Sequence, residues 1–182
     1  MNKILVFFWE IVKIFLIALL IVIPIREFIF QPFFVRGQSM EPNFHDMDYL
    51  IVNEISYRFH GPQRGDVIVF RNPNNLNQRF IKRVIGLPGE TVEIKDGKVI
   101  IERENKTFVL NEPYLPESIK TSGNLKVHLK EKEYFVLGDN RLSSMDSRFF
   151  GPISEDLIIG KVAFRIWPFS AFANKKSYPS PY

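Results

Sequence analysis

The sequence predicts a mainly β fold: an N-terminal transmembrane helix, then a coiled or barrel-like domain of antiparallel strands. Three observations carry this expectation. Positions 4–25 are apolar apart from Glu10 and Lys13, close to the roughly 20 residues a helix needs to cross a bilayer. From position 48 onward, short runs rich in Val, Ile, Phe and Tyr recur between Gly, Pro, Asn and Asp, which is how strands and their turns read. Asp96-Gly97 stands between two alternating runs and is the strongest hairpin signal in the chain. The expected organisation is a membrane anchor over 1–28, a β domain over 29–170 with a looser excursion at 111–131, and a C-terminal tail at 171–182.

In the anchor, Glu10 and Lys13 lie three residues apart and share a helix face, where they can neutralise one another. Pro24 fits the end of the span better than its middle. A cleaved leader would need a small-x-small site after the apolar run, where the chain reads Pro24-Ile25-Arg26-Glu27 instead. An interfacial helix would need a strongly charged face. A retained anchor is therefore expected. Its orientation stays open, because Lys3 and the amino terminus face Arg26 and Arg36 across the span.

Positions 28–35 remain apolar and aromatic, and Pro32 favours extended chain around Gln31. Strands are expected at 48–52, 66–70, 79–85, 92–95, 98–102, 107–110, 134–137 and 157–167. A loop is expected at 72–75, and turns at 64–65, 87–90, 104–106 and 138–141.

Composition removes several classes of function. The 182 residues carry a net charge of +4 without a basic stripe, so no nucleic-acid partner is expected. With no cysteine there is no thiol nucleophile, disulfide framework or thiolate metal site. His45, His60 and His128 lack any ligand spacing, so no metal is expected.

Three stretches carry possible chemistry. Gly37-Gln38-Ser39-Met40-Glu41-Pro42 follows the apolar N-terminus and presents a serine hydroxyl on non-helical backbone. In the strand at 79–85, alternation puts Phe80, Lys82 and Val84 on one face, with Arg79, Ile81, Arg83 and Ile85 on the other. If the first face is inward, Lys82 is a buried amine whose pKa falls, and a neutral lysine can take a serine proton; otherwise it is a surface lysine on an edge strand. Arg83 is expected to point away beside Arg79. In Ser143-Ser144-Met145-Asp146-Ser147-Arg148, Asp146 and Arg148 can pair and brace a loop, and Ser144 or Ser147 can aim a neighbouring amine. An ordinary polar turn would read the same way. His45 lies near Ser39 in sequence, but there is no Gly-x-Ser-x-Gly elbow to support a histidine-based hydrolase.

Taken in order, Gly37-x-Ser39-Met40-x-Pro42, Arg64-Gly65-Asp66-Val67, Lys82-Arg83-Val84-Ile85-Gly86-Leu87-Pro88-Gly89, Gly138-Asp139-Asn140-Arg141 with Ser144-Met145-Asp146-Ser147-Arg148, and Gly160-Lys161 resemble the type I signal peptidases over positions 10–168. Each box is short, and their order is what makes the resemblance specific. It implies that Ser39 is the nucleophile and Lys82 its general base, that Ser144 orients the Lys82 amine, and that Asp146 and Arg148 hold that loop. It also implies that Phe33, Val35, Met40, Phe44, Leu50, Phe80 and Ile81 line shallow pockets admitting alanine-sized side chains.

Some members of that family carry a serine two residues before the nucleophile, where this chain has Gly37. The oxyanion would then rest on backbone donors, chiefly the Ser39 N–H. The resemblance further implies a single-pass protein of the cytoplasmic membrane with its β domain on the outer face. Its partners would be the lipid bilayer and exported pre-proteins, whose signal peptides are cut after a small-x-small motif. No cofactor is implied.

Overall fold

The computed structural model describes residues 3–28, 30–104 and 106–168. The expected tail at 171–182 and Asn105, in the expected turn at 104–106, lie outside them. The apolar segment forms helix α1 (Lys3–Phe28). Its 26 residues reach about 39 Å at 1.5 Å per residue, enough for the roughly 30 Å hydrocarbon layer. The stretch Val6–Ile23 is long and apolar enough to cross a membrane, and none of it is buried. Lys13 Nζ donates to Glu10 Oε1 at 2.6 Å, so the two charges in the apolar run are paired along one helix face.

Eleven strands follow α1 among the described residues. β1 (Phe30–Phe34), β2 (Tyr49–Asn53), β3 (Val67–Asn72), β4 (Asn75–Gly86), β9 (Glu133–Leu137), β10 (Ile153–Ser154) and β11 (Ile158–Trp167) build a seven-stranded sheet. Its order is β1-β2-β11-β3-β4-β9-β10, and the neighbouring strands are antiparallel. β5 (Thr91–Lys95), β6 (Lys98–Arg103), β7 (Lys106–Val109) and β8 (Leu125–His128) form a second sheet, ordered β7-β6-β5-β8. Asp96 and Gly97 both take positive φ, 51° and 77°, as the tight turn of the β5–β6 hairpin requires.

Two elements depart from expectation. The loop foreseen at 72–75 is a two-residue turn, so β4 begins at Asn75 rather than near 79. Asn72 makes this possible by accepting the Asn74 N–H at 3.0 Å and donating to the Gln78 side chain at 3.0 Å. The excursion at 111–131 contains β8, which pairs with β5 along Thr91↔His128 to Ile94↔Leu125. Its four residues alternate between half-buried and exposed, a pattern too short to stand out beside prolines and polar residues.

The core has three parts, which together cover both faces of the central strands. Val67, Val69 and Ile81 pack with Val35, Met40, Phe44, Leu50 and Val52. Ile68, Phe70 and Val84 pack on the opposite side with Tyr134, Val136 and Ile153. Ile85, Phe135 and Leu137 meet Val92, Ile94 and Ile101 of the second sheet. The second half of β4 is therefore buried at every residue from Ile81 to Gly86.

The two sheets are tied by a buried ion pair. Arg64 Nη2 lies 2.5 Å from Glu90 Oε1, and Arg64 also donates to the Ile85 carbonyl. Glu90 Oε2 accepts the Leu87 N–H at 2.8 Å. Removing one partner strands a buried charge. Glu90→Leu is thus expected to cost about 3–5 kcal/mol of stability, and Arg64→Met with Glu90→Leu should recover part of that loss. A double-mutant cycle by urea denaturation would measure both; equal losses in single and double variants would refute the pairing.

Candidate active site

β4 pairs with β9 only from Arg83↔Leu137 to Gly86↔Phe135. From Lys82 back towards Asn75, the same edge of β4 has no strand partner among the described residues. β1 is the outermost strand at one end of the sheet. A cleft of about 450 Å³ opens beside these stretches, lined by Phe33, Phe34 and Arg36 on one side and by Asn77, Arg79, Phe80 and Ile81 on the other. Ser39 and Lys82 line it together, with Met145 completing the wall.

Ser39 is held by its neighbours in sequence and by the loop leaving β9. Met40 and Phe44, both fully buried, pin the turn in which the Phe44 N–H donates to the Met40 carbonyl at 2.9 Å. The Ser39 carbonyl accepts the Asn140 N–H at 3.0 Å, and the Gln38 carbonyl accepts Asn140 Nδ2 at 3.1 Å. Gly37 adopts φ 85°, a left-handed conformation that strains any residue with a Cβ. Its N–H donates to Asp46 Oδ1 at 2.7 Å. Among the described residues the Ser39 N–H donates to no acceptor.

Lys82 is 3% exposed. Its Nζ lies 2.7 Å from Ser39 Oγ and donates to the Ile81 carbonyl at 2.8 Å. Burial penalises the ammonium and outweighs the opposing pull of Asp146 and Asp139, lowering the pKa from 10.5 to about 8. An amine that loses its proton near neutrality, at hydrogen-bond distance from a hydroxyl, can act as a general base for it.

Two carboxylate–guanidinium pairs frame the dyad. Asp146 accepts Arg148 Nε and Nη2, both at 2.8 Å, and also the Gly138 N–H at 3.1 Å and the Arg148 N–H at 3.2 Å. It thereby caps the short helix α2 (Ser147–Phe150). Arg148 also donates to the Arg141 carbonyl at 2.7 Å. Asp139 accepts Arg83 Nε at 2.8 Å and Nη2 at 2.6 Å, and takes Asn43 Nδ2 at 2.8 Å.

The structure thus brings Ser39, Lys82, Asp146 and Arg148 together with the expected contacts. Ser144 is near but differently engaged. Its Oγ is buried and has no hydrogen-bond partner among the described residues, while the Lys82 amine donates to the Ile81 carbonyl. Of the seven expected pocket residues, Phe33, Phe80 and Ile81 line the cleft, while Val35, Met40, Phe44 and Leu50 lie in the core beneath.

Arg83 does not point into solvent: it is 1% exposed, because the face of β4 opposite Lys82 is covered as well. Sequence reasoning missed its partner Asp139, 56 residues away, and the supporting Asn43 and Asn140. The Gly138-Asp139-Asn140-Arg141 turn was the signal for Asp139 and Asn140, and nothing in the sequence pointed to Asn43. None of the three histidines hydrogen-bonds to Ser39 among the described residues; His128 pairs with Thr91.

Gly138, just after β9, lies against Ser39. A Cβ there would collide with the Ser39 carbonyl and the Ser144 side chain, so the loop can approach only through glycine. Gly138→Ala is expected to slow acylation of Ser39 by an activated ester about 100-fold, through misplacement of the hydroxyl, with an unchanged circular dichroism spectrum. An unaltered rate would show that this contact does not position Ser39.

Comparison with known proteins identifies the relatives of this chain. The family model described as signal peptidase, peptidase S26, matches residues 8–167. The chain is 38% identical over 173 residues to signal peptidase IB of Staphylococcus aureus, covering 86% of this chain and 87% of that one. It is 37% identical over 182 residues to a probable signal peptidase I-1 of Synechocystis, covering 93% and 90% respectively. Among solved structures, a signal peptidase I from Enterococcus faecalis aligns with a TM-score of 0.48 at 36% identity, over 56% of this chain and 97% of that one. Because the family match runs from within the anchor helix to the end of the last strand, the chain belongs to the signal peptidase family S26.

Proposed function

We propose that this chain is a membrane-anchored serine endopeptidase that removes signal peptides from exported pre-proteins, cutting after a small-x-small motif. The observation that carries the mechanism is the 2.7 Å approach of buried Lys82 Nζ to Ser39 Oγ. Neutral Lys82 takes the hydroxyl proton as Ser39 attacks the scissile carbonyl. The resulting ammonium returns that proton to the leaving amine, so the mature chain departs and an acyl-enzyme remains. Lys82, neutral again, deprotonates a water that attacks the ester and releases the signal peptide, and the proton passes to Ser39 Oγ. The Ser39 N–H, which has no other acceptor among the described residues, is the backbone donor for the oxyanion. Asp146, Arg148 and Asp139 act by positioning the loop, and the charges of the two carboxylates limit how far burial lowers the lysine pKa.

The free edges of β1 and β4 allow the precursor to lie extended between them and to bond through its backbone. Phe33, Phe80 and Ile81 leave shallow apolar space beside the nucleophile, suited to alanine-sized side chains. Helix α1 holds the β domain at the membrane surface, on the outer face of the cytoplasmic membrane in this reading. Enzyme and tethered precursor then meet in two dimensions, which favours their encounter.

The dyad has a pH signature. Below about 8 Lys82 is an ammonium and cannot accept a proton, and above it the base form dominates. kcat/KM on a precursor should therefore rise with pH through about 8. Ser39→Ala and Lys82→Arg should both be inactive at every pH, the latter because a guanidinium does not deprotonate. Activity in Lys82→Arg, or a profile flat from pH 6 to 10, would remove Lys82 as the base.

Pocket size is tested from the substrate side. Replacing the alanine before the cut with phenylalanine should lower cleavage by roughly 100-fold, measured by competition between the two precursors. Equal cleavage would contradict a small pocket.

A further inference from the structure

The cleft beside the dyad carries an unexplained charge. Arg36 and Arg79 both line it and are both exposed. Neither comes within ion-pairing distance of a carboxylate among the described residues. Asp46, near Arg36, spends one carboxylate oxygen on the Gly37 N–H. Glu54 feels the charge of Arg79 from beyond ion-pairing distance, together with those of Arg58 and Arg71. Arg71 stands directly opposite Arg79 across the β3–β4 pair, so like charges are stacked at this rim rather than compensated.

The position of these arginines relative to the scissile bond follows from topology. β1 pairs antiparallel with β2, β2 with β11, β11 with β3 and β3 with β4; β1 and β4 therefore run in the same sense. On both walls the cleft-lining residues precede the catalytic group in the chain: Arg36 comes three residues before Ser39, and Arg79 three before Lys82. At about 3.3 Å per residue, that is about 10 Å of extended chain on one side of the dyad. The same side carries the apolar floor of Phe33, Phe80 and Ile81, so it is the side that takes the small-x-small residues before the cut. In an extended chain with its first and third residues before the cut turned into that floor, the second and fourth turn outward to the rim.

We propose that Arg36 and Arg79 are specificity-determining residues: a cationic rim that favours an acidic side chain, and disfavours a basic one, at the second or fourth residue before the cleavage site. This rests on the signal-peptidase reading given above. A carboxylate there gains an ion pair that the enzyme itself does not supply among the described residues, and a lysine meets two guanidinium groups.

The test uses the full-length protein in neutral detergent micelles and one precursor in three versions, carrying Gln, Glu or Lys at the second, and separately the fourth, residue before the cut. The wild type should prefer Glu over Lys by about tenfold or more in kcat/KM at one of these positions, equivalent to about 1.4 kcal/mol. That preference should shrink as salt rises. Arg36→Gln with Arg79→Gln should bring the Glu-to-Lys ratio close to one, and the Arg36→Lys with Arg79→Lys pair should keep it.

A wild type that does not discriminate, or a ratio unchanged in the glutamine pair, overturns the proposal. So does an equal loss on all three precursors seen only in vesicles containing anionic lipid, which would assign the arginines to headgroups. Failure of the wild type to cut the Gln precursor, or cutting by Ser39→Ala, would instead remove the underlying signal-peptidase reading, and the proposal with it.

Discussion

The site depends on keeping one amine out of water. A lysine on the surface is an ammonium at neutral pH and has no lone pair to offer. Lys82 differs because both faces of the strand around it are covered and because its head group ends beside Ser39 rather than in solvent. Desolvation is the largest influence on its pKa, and the carboxylates of Asp146 and Asp139 pull the other way. Had burial acted alone, the amine would be a weaker base; had the acids prevailed, it would stay protonated. The arrangement places it where it can both accept and return a proton.

The segments that carry Ser39 and frame Lys82 have little regular structure of their own. They are held by charge pairs that are unusually well buried for loops. Asp139 with Arg83 ties the segment after β9 to β4, and Asp146 with Arg148 closes the next turn onto Gly138. Arg141, fully buried, reaches Glu112 and Thr121 and so draws the 111–131 stretch over the same region. Such pairs add little net stability compared with well-packed apolar side chains. Their geometry is directional, however, and a loop that must place a hydroxyl within hydrogen-bond reach of an amine gains from directional contacts.

Membrane attachment and substrate geometry meet in β1. The strand begins two residues after the anchor helix ends, forms the outermost strand at one end of the sheet, and leads within five residues of its end to Ser39. One short stretch therefore links the apolar helix, an open strand edge and Ser39. In the proposed function, an extended precursor has only to lie along that edge to bring a peptide bond to the hydroxyl.

Much of this was legible in the sequence. The apolar run, the alternating segments and Asp96-Gly97 marked the anchor, most strands and the hairpin, because those signals are local. Ser39, Lys82 and the Asp146–Arg148 brace could be singled out from short motifs and strand alternation. The short β8 was lost among polar residues, and Asn72 shortened a loop by bonding within its own turn.

What the tertiary structure alone decided was burial and partnership. Alternation separated Arg83 from Lys82 but could not show that both faces of β4 are covered. No spacing rule links Arg83 to Asp139, or distinguishes Phe33, Phe80 and Ile81 at the cleft from Val35, Met40, Phe44 and Leu50 beneath it. Nor could the sequence tell that the Lys82 amine donates to the Ile81 carbonyl. The sequence by itself determined which residues could do chemistry. Packing between segments far apart in the chain decided which of them are dry, paired and within reach of one another, because desolvation depends on everything that surrounds a group in space.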